Sequence, residues 1–353
     1  MSDKTNPGNY FEDFRVGQKI AHATPRTLTH GDAALYTALY GSRFALQSSD
    51  TFAQSVGLPK SPLDDLLVFH TVFGKTVPDI SLNAVANLGY AEGRFLRQVY
   101  PGETLSAHSE VIGLKENSNK QTGVVYVRTH GMNEKEEQVL SYVRWVMVRK
   151  RDAAAAVAEA HVPKLAEAVA VEDLHIAPHM NFDTLFDPVL SGSAHRWEHY
   201  EIGEKIDHGD GITVEEAEHM MATRLYQNTA RVHFNQFAEG QGRFGRRLIY
   251  GGHVISLARA LSFNGLGNAY VLAAINGGRH VNPLFAGDTV FAWSEVLDRQ
   301  EISGRRDLGA LRLRLVAAKN LSCENFPDRD AAGQYPDNII LDFDYWAFAP
   351  RRV

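Results

Sequence analysis

One loop and one helix start carry the residue types that could do chemistry. The stretch Tyr226–Ala238 reads YQNTARVHFNQFA, with an amide at Asn228 and an imidazole at His233. Histidine is the side chain whose ordinary pKa lies near neutrality, so His233 is the candidate for moving a proton. Asn228 can orient a water or an imidazole but cannot take a proton itself. Downstream, Leu248–Leu261 reads LIYGGHVISLARAL, an apolar helix that opens on two glycines behind Tyr250. The first N–H groups of a helix are unpaired and carry partial positive charge. Gly251 and Gly252 would offer such groups to an oxygen that gains negative charge, with no side chain in the way. Arg231, two residues before His233, adds a fixed cation. Taken alone, a loop histidine is more often a satisfied polar residue than a catalyst; its neighbours decide.

Other motifs are set aside. Gly240–Gly245, GQGRFG, fits G-x-G-x-x-G, but a dinucleotide site needs a strand before it and a helix directly after. Here NQFAEG precedes and Arg246-Arg247-Leu248 follows, which reads as a flexible loop. His195 and His199 have helical spacing without a third ligand nearby, so no metal is expected. The single cysteine, Cys323, excludes an internal disulfide and a thiolate zinc site, and nothing around it marks a nucleophile.

The elements that must position these residues are written twice. Glu92–Thr104, EGRFLRQVYPGET, returns as Gly277–Thr289, GGRHVNPLFAGDT; Gly93 pairs with Gly278, an offset of 278 − 93 = 185. FEDFRVGQKI from Phe11 returns as WEHYEIGEKI from Trp197, an offset of 197 − 11 = 186. Such a period is too long for a stacked repeat and indicates a duplication. Expected boundaries are 1–151 and 196–353 for the halves, with 152–195 as linker. The Ala/Glu/Lys-rich start of the linker predicts a surface helix.

Each half has the same order: an entry segment, a helix, a loop, an apolar helix, then strands. Thr213 and Glu216 have capping-box spacing at the start of the first helix of half two. Val254, Leu257, Ala258 and Leu261 make one stripe of the second helix; Phe69, Val72, Phe73 and Thr76 match it in half one. Residues 122–150 read as a hairpin, LGALRLRLVAA alternates, and NIILDFDYWAFAP reads as a closing strand. A long apolar helix followed by antiparallel strands gives an α+β fold.

The chain has 353 residues, with 44% hydrophobic and 22% charged, enough for a sizeable core. A net charge of −6 argues against a nucleic-acid footprint. No secretory h-region and no membrane-length apolar run is present, so a cytoplasmic protein without membrane contact is expected.

The loop and the YGGH helix start resemble the signature of the R-specific enoyl-CoA hydratases, the MaoC-like hotdog family, in which G-D-x-N-P-(aliphatic)-H is followed by H-G-(M). The duplication resembles the double-hotdog branch, each half an antiparallel sheet wrapped round a central helix. Matched by position, the family histidine falls on His233, its aspartate on Asn228, its glycine on Gly252, and its Asn-Pro pair on Ala230 and Arg231. In half one, Ser42 and Gln47 stand at the acid and histidine positions (233 − 47 = 186), and by the 185 offset Leu66 and Leu67 match the glycines. The resemblance implies a hydro-lyase adding water to a branched, dicarboxylic enoyl-CoA thioester, without a cofactor, from a homodimer. It implies His233 for proton transfer, Asn228 to orient, Gly252 as the oxyanion donor, and Gly251 and Tyr250 at the acyl group. The substrate carboxylate would need an arginine: Arg231 first, then Arg279, with Arg224 and Arg243 behind. Should two carboxylates govern the reaction, Asp50, Asp64 or Asp65 would reach over from half one. A general R-specific hydratase and a non-catalytic acyl-CoA-binding subunit are the rival readings.

Overall fold

The computed structural model of the chain describes residues 4–156, 159–182 and 187–352. Half one runs β1 (Lys19–Thr27), α1 (His30–Tyr40), α2 (Asp65–Thr76), β2 (Ala84–Phe95), β3 (Thr104–Glu116), β4 (Thr122–Met132) and β5 (Gln138–Arg149). Half two repeats the order: β6 (Lys205–Asp207), β7 (Ile212–Thr213), α3 (Glu216–Leu225), the short α4 (Arg231–Phe234), α5 (Gly251–Leu261), β8 (Val271–His280), β9 (Thr289–Glu301), β10 (Leu308–Lys319) and β11 (Ile339–Pro350).

All strands join one antiparallel sheet in the order β1-β3-β4-β5-β2-β8-β11-β10-β9-β6, with β7 also on β9. Read outward from its middle, the order is the same on both sides. That is the pseudo-twofold of a double hotdog, with β2 and β8 at the seam. Seam pairs run from Tyr90↔Gly278 to Arg94↔Ala274. The repeated sequence spans β2 to β3 and β8 to β9. Its glycines, Gly102 and Gly287, turn the chain at φ of 106° and 94°, where a side chain is disfavoured.

Both central helices are apolar around most of their circumference because the sheet wraps them. Phe69, Val72 and Phe73 of α2 and Val254, Ile255 and Leu257 of α5 lie in one shared core. The two helices also meet each other, through His70 Nε2 and Ser256 Oγ at 3.2 Å.

Two local expectations are corrected. Thr213 does not cap α3: it lies in β7, its hydroxyl 2.8 Å from that of Thr289, and the N-cap is Glu215 without a side-chain bond. Strand pairing holds Thr213 too early in the chain. In half one the related residue is Thr29 (215 − 29 = 186), whose hydroxyl does cap Asp32 N–H. The described residues of the linker's start form no helix. Strand groups and side chains satisfy its backbone instead: His161 exchanges bonds with Leu114, Ala166 N–H reaches Glu92, and Val169 N–H reaches Asn276. Residues 157–158 lie outside the described residues. Trp346 Nε1 closes the path by donating to the Val169 carbonyl.

Candidate active site

After α3 the chain turns at Gln227, whose φ of 54° lies in the left-handed region. Asn228 is buried, and its Oδ1 accepts the Ala230 N–H at 3.1 Å. The amide therefore shapes the turn that starts α4, and no hydrogen bond joins it to His233 among the described residues. His233 sits in α4 with Nδ1 2.9 Å from the Leu248 carbonyl. A carbonyl only accepts, so the proton is on Nδ1 and Nε2 keeps its lone pair. Burial lowers the pKa to about 4, against the raising effect of the Leu248 bond. At neutral pH the imidazole is an uncharged base.

The start of α5 lies alongside. Tyr250 is its N-cap, and Gly251 and Gly252 are its first two residues, without a capping side chain. Their N–H groups have no intrahelical acceptor. Tyr250 N–H itself donates to His219 Nε2 at 2.9 Å, which puts the His219 proton on Nδ1. Both glycines are required by space. A Cβ on Gly251 would come 2.4 Å from His280 Nε2, and one on Gly252 would come 2.5 Å from His70 Cε1. Gly251 stands where the family motif has histidine, and the His280 imidazole occupies the room a side chain there would take.

Half one completes the site, which the sequence does not reveal. Tyr40 O–H lies 2.7 Å from Tyr226 O–H and 3.0 Å from His253 Nδ1. Tyr36 O–H donates to Ser256 Oγ at 3.0 Å, and Tyr250 O–H lies 3.4 Å from His70 Nδ1. Tyr90 O–H crosses the seam to His280 Nε2 at 3.3 Å. Burial lowers His70 and His253 to about 3, His219 to about 2 and His280 to about 4. His219 and Tyr250 ring centres lie 6.3 and 5.4 Å from that of His233. The result is a neutral, largely buried cluster of imidazoles and phenols. Such a cluster strengthens any charge interaction formed within it. Among the described residues no group of His, Cys, Asp or Glu converges as metal ligands.

A cavity of about 270 Å³ opens beside His219, walled by Glu216, Gln236, Arg246, Arg247 and Ile249. The structure does not bring Arg231 or Arg279 to this wall; both are exposed. Arg243 stacks on Phe244, and the exposed Arg224 bonds the Met220 carbonyl. Sequence reading passed over Arg246 and Arg247. The available signal was their position directly before LIYGG.

The related place in half one is closed. Helix starts align at 250 − 64 = 186, so Gly251 matches Asp65 and Gly252 matches Leu66. This corrects the match to Leu66 and Leu67: the offset falls to 185 only after the helix, in the connection to β2. Asp64 Oδ1 accepts the Leu66 N–H at 2.9 Å, and Asp65 Oδ2 accepts the Leu272 N–H at 3.0 Å. A carboxylate thus takes the donor that an oxyanion would need. Gln47 Nε2 donates to the Tyr270 carbonyl, and the cavity there, about 20 Å³, has room for about one water. Asp50 is exposed and accepts Ser61 N–H. Asp50 and Asp64 bond backbone of half one and Asp65 reaches across to Leu272 of half two, and none of the three hydrogen-bonds His233 among the described residues. Cys323 is buried, and burial pushes its thiol up to about 12.

Among the described residues no helix is long and apolar enough to cross a membrane. The sequence matches the mesaconyl-CoA hydratase family over residues 1–326. It is 63% identical over 352 residues to the β-methylmalyl-CoA dehydratase of Chloroflexus aurantiacus, covering 100% of both chains. It is 62% identical over 348 residues to the mesaconyl-CoA hydratase of Cereibacter sphaeroides, covering 99% of this chain and 100% of the relative. A solved MaoC domain dehydratase from Chloroflexus aurantiacus superposes over 100% of both chains with a TM-score of 0.98 at 63% identity. A double-hotdog protein from Mycobacterium tuberculosis superposes with a TM-score of 0.71 at 25% identity, over 97% of this chain and 98% of that one.

Proposed function

The chain belongs to the mesaconyl-CoA hydratase family, and on that premise we propose that it runs the reversible hydration of mesaconyl-CoA to β-methylmalyl-CoA at the start of α5. One observation supports this reading: His233, its tautomer fixed by Leu248, has its ring centre 5.4 Å from that of Tyr250, the N-cap directly before the two glycines that open the helix without a capping side chain. The thioester oxygen accepts from Gly251 and Gly252 while His233 Nε2 takes a proton from water. The water oxygen bonds to the β-carbon, and the double-bond electrons move toward the thioester as an enolate. The imidazolium then returns its proton to the α-carbon, so His233 ends neutral and one water has been added. Preorganised donors of this kind act on charge that develops only during reaction. Asn228 supports the step by setting the turn that presents His233. The expected homodimer stands as a proposal that sedimentation of the full chain would test.

The reaction is followed by loss of enoyl-thioester absorbance on adding mesaconyl-CoA, with crotonyl-CoA as comparison. Loss with mesaconyl-CoA, and its reversal with β-methylmalyl-CoA, is the expected result. Faster turnover of crotonyl-CoA would favour a general enoyl-CoA hydratase. Binding of both thioesters without any loss would leave only the binding subunit.

A further inference from the structure

Arg247 is the one cavity arginine with an unexplained buried donor. Its side chain is 11% exposed, and Nη2 bonds Glu216 Oε1 at 2.6 Å. Its Nε is buried without a partner among the described residues. Buried guanidinium donors are ordinarily satisfied, and an orphan calls for an explanation. Arg246, also on the cavity wall, is exposed and lies over the Phe285 ring at 3.9 Å. The counter-ion Glu216 is itself largely exposed, at 60% of its side chain, so it holds the guanidinium loosely.

The position of Arg247 matters as much as its free donor. It precedes Leu248, which fixes His233, and the same wall carries His219, which receives the Tyr250 N–H at the start of α5. In a butenedioic skeleton the free carboxylate is attached to the carbon β to the thioester, whichever end bears the thioester. That carbon is the one that receives water. A cation reading this carboxylate must therefore lie near the reacting end of the acyl group; Arg247 shares the cavity wall with His219, whose ring centre is 6.3 Å from that of His233, whereas Arg231 and Arg279 do not line that cavity.

We infer that Arg247 binds the free carboxylate of the acyl group through its unpaired Nε–H and selects dicarboxylic over monocarboxylic enoyl-CoA thioesters, with Glu216 holding the guanidinium through the neighbouring Nη2. Planar, paired donors suit a carboxylate. The inference rests on the hydratase reading above.

The test compares kcat/KM for mesaconyl-CoA and crotonyl-CoA in wild type, Arg247→Gln and Arg247→Lys. Charged hydrogen bonds of this type correspond to roughly 10- to 150-fold in specificity. Arg247→Gln should lower the mesaconyl-to-crotonyl ratio by that factor, and Arg247→Lys, which keeps the charge but lacks Nε–H, should fall between. A ratio unchanged in both variants overturns the inference, as does an equal fall on both substrates. Should Arg247→Gln not fold, Arg247→Lys with an unchanged ratio decides against it alone. Wild type inert toward both thioesters would instead be a failure of the hydratase reading, separate from the role of Arg247.

Discussion

Acidification below about pH 6.5 should destabilise the protein steeply. His70, His208, His219 and His253 are buried, and burial holds them at about 3, 4, 2 and 3. In the unfolded chain each returns to about 6.5. A base depressed by folding takes its proton only when the chain opens. Its stabilising contribution is complete above the unfolded pKa and is lost as pH falls toward the folded one. Asp65 acts in the opposite direction. Burial, then the charge of Asp64, raises it to about 8, so between about pH 4 and 8 the folded chain carries a proton that the unfolded chain lacks. At pH 5.5 the four unfolded imidazoles bind roughly 3.6 protons and Asp65 subtracts about one, a net uptake of roughly 2.6. At ~1.4 kcal/mol per proton and pH unit, the slope is roughly 3–4 kcal/mol per unit. Against a usual stability of about 5–15 kcal/mol, roughly one to five units would exhaust it. Urea unfolding followed by tryptophan fluorescence between pH 7 and 5 measures the slope directly. A slope below about 1 kcal/mol per unit would refute the reasoning, because the imidazoles would then accept protons inside the folded chain and burial would not hold the cluster neutral.

The site yields further expectations. His233→Ala should lower kcat by roughly 10²- to 10⁴-fold while Gln47→Ala stays mild, read from initial rates on mesaconyl-CoA; equal losses would put the chemistry in the wrong half. Gly252→Ala should lower kcat with the fold kept, since the new methyl drives His70 or Tyr250 from its place; circular dichroism and rates separate the two effects. Asn228→Ala should cost about 1 kcal/mol of stability by freeing the Ala230 N–H, whereas Asn228→Asp keeps an acceptor and stays near wild type in thermal unfolding. A larger effect on rate than on melting in both variants would return Asn228 to direct contact with the substrate.

Much of the fold could be read from the chain because its signals are local. The two echoes, the strand alternation of Leu311, Leu313 and Leu315, and the apolar stripe after Gly252 each depend on neighbours in sequence. The linker failed for the opposite reason: Ala and Glu favour helix, but Leu114, Glu92 and Asn276 offer its backbone partners that no local pattern reveals. The same holds for the site. His233 and the glycines lie in one stretch, where their types and spacing make them candidates, while Tyr40, His70 and Tyr90 come close to the same helix start from positions more than 140 residues away. Arg247 was passed over because exposure, not residue type, separates it from Arg231.

Joining the two copies through β2 and β8 also changes what substitutions can accomplish. In an assembly of identical subunits every replacement is made at all symmetry-related places together. A carboxylate that suits one helix start would then spoil its twin. Here the twin places have separated, with Asp65 opposite Gly251 and Leu66 opposite Gly252. On the proposed reading one copy is released from chemistry, and its Tyr40 and His70 contact His253 and Tyr250 of the other. In stoichiometric terms the chain is a heterodimer on one thread, and a tight-binding inhibitor should titrate one catalytic equivalent per polypeptide rather than two.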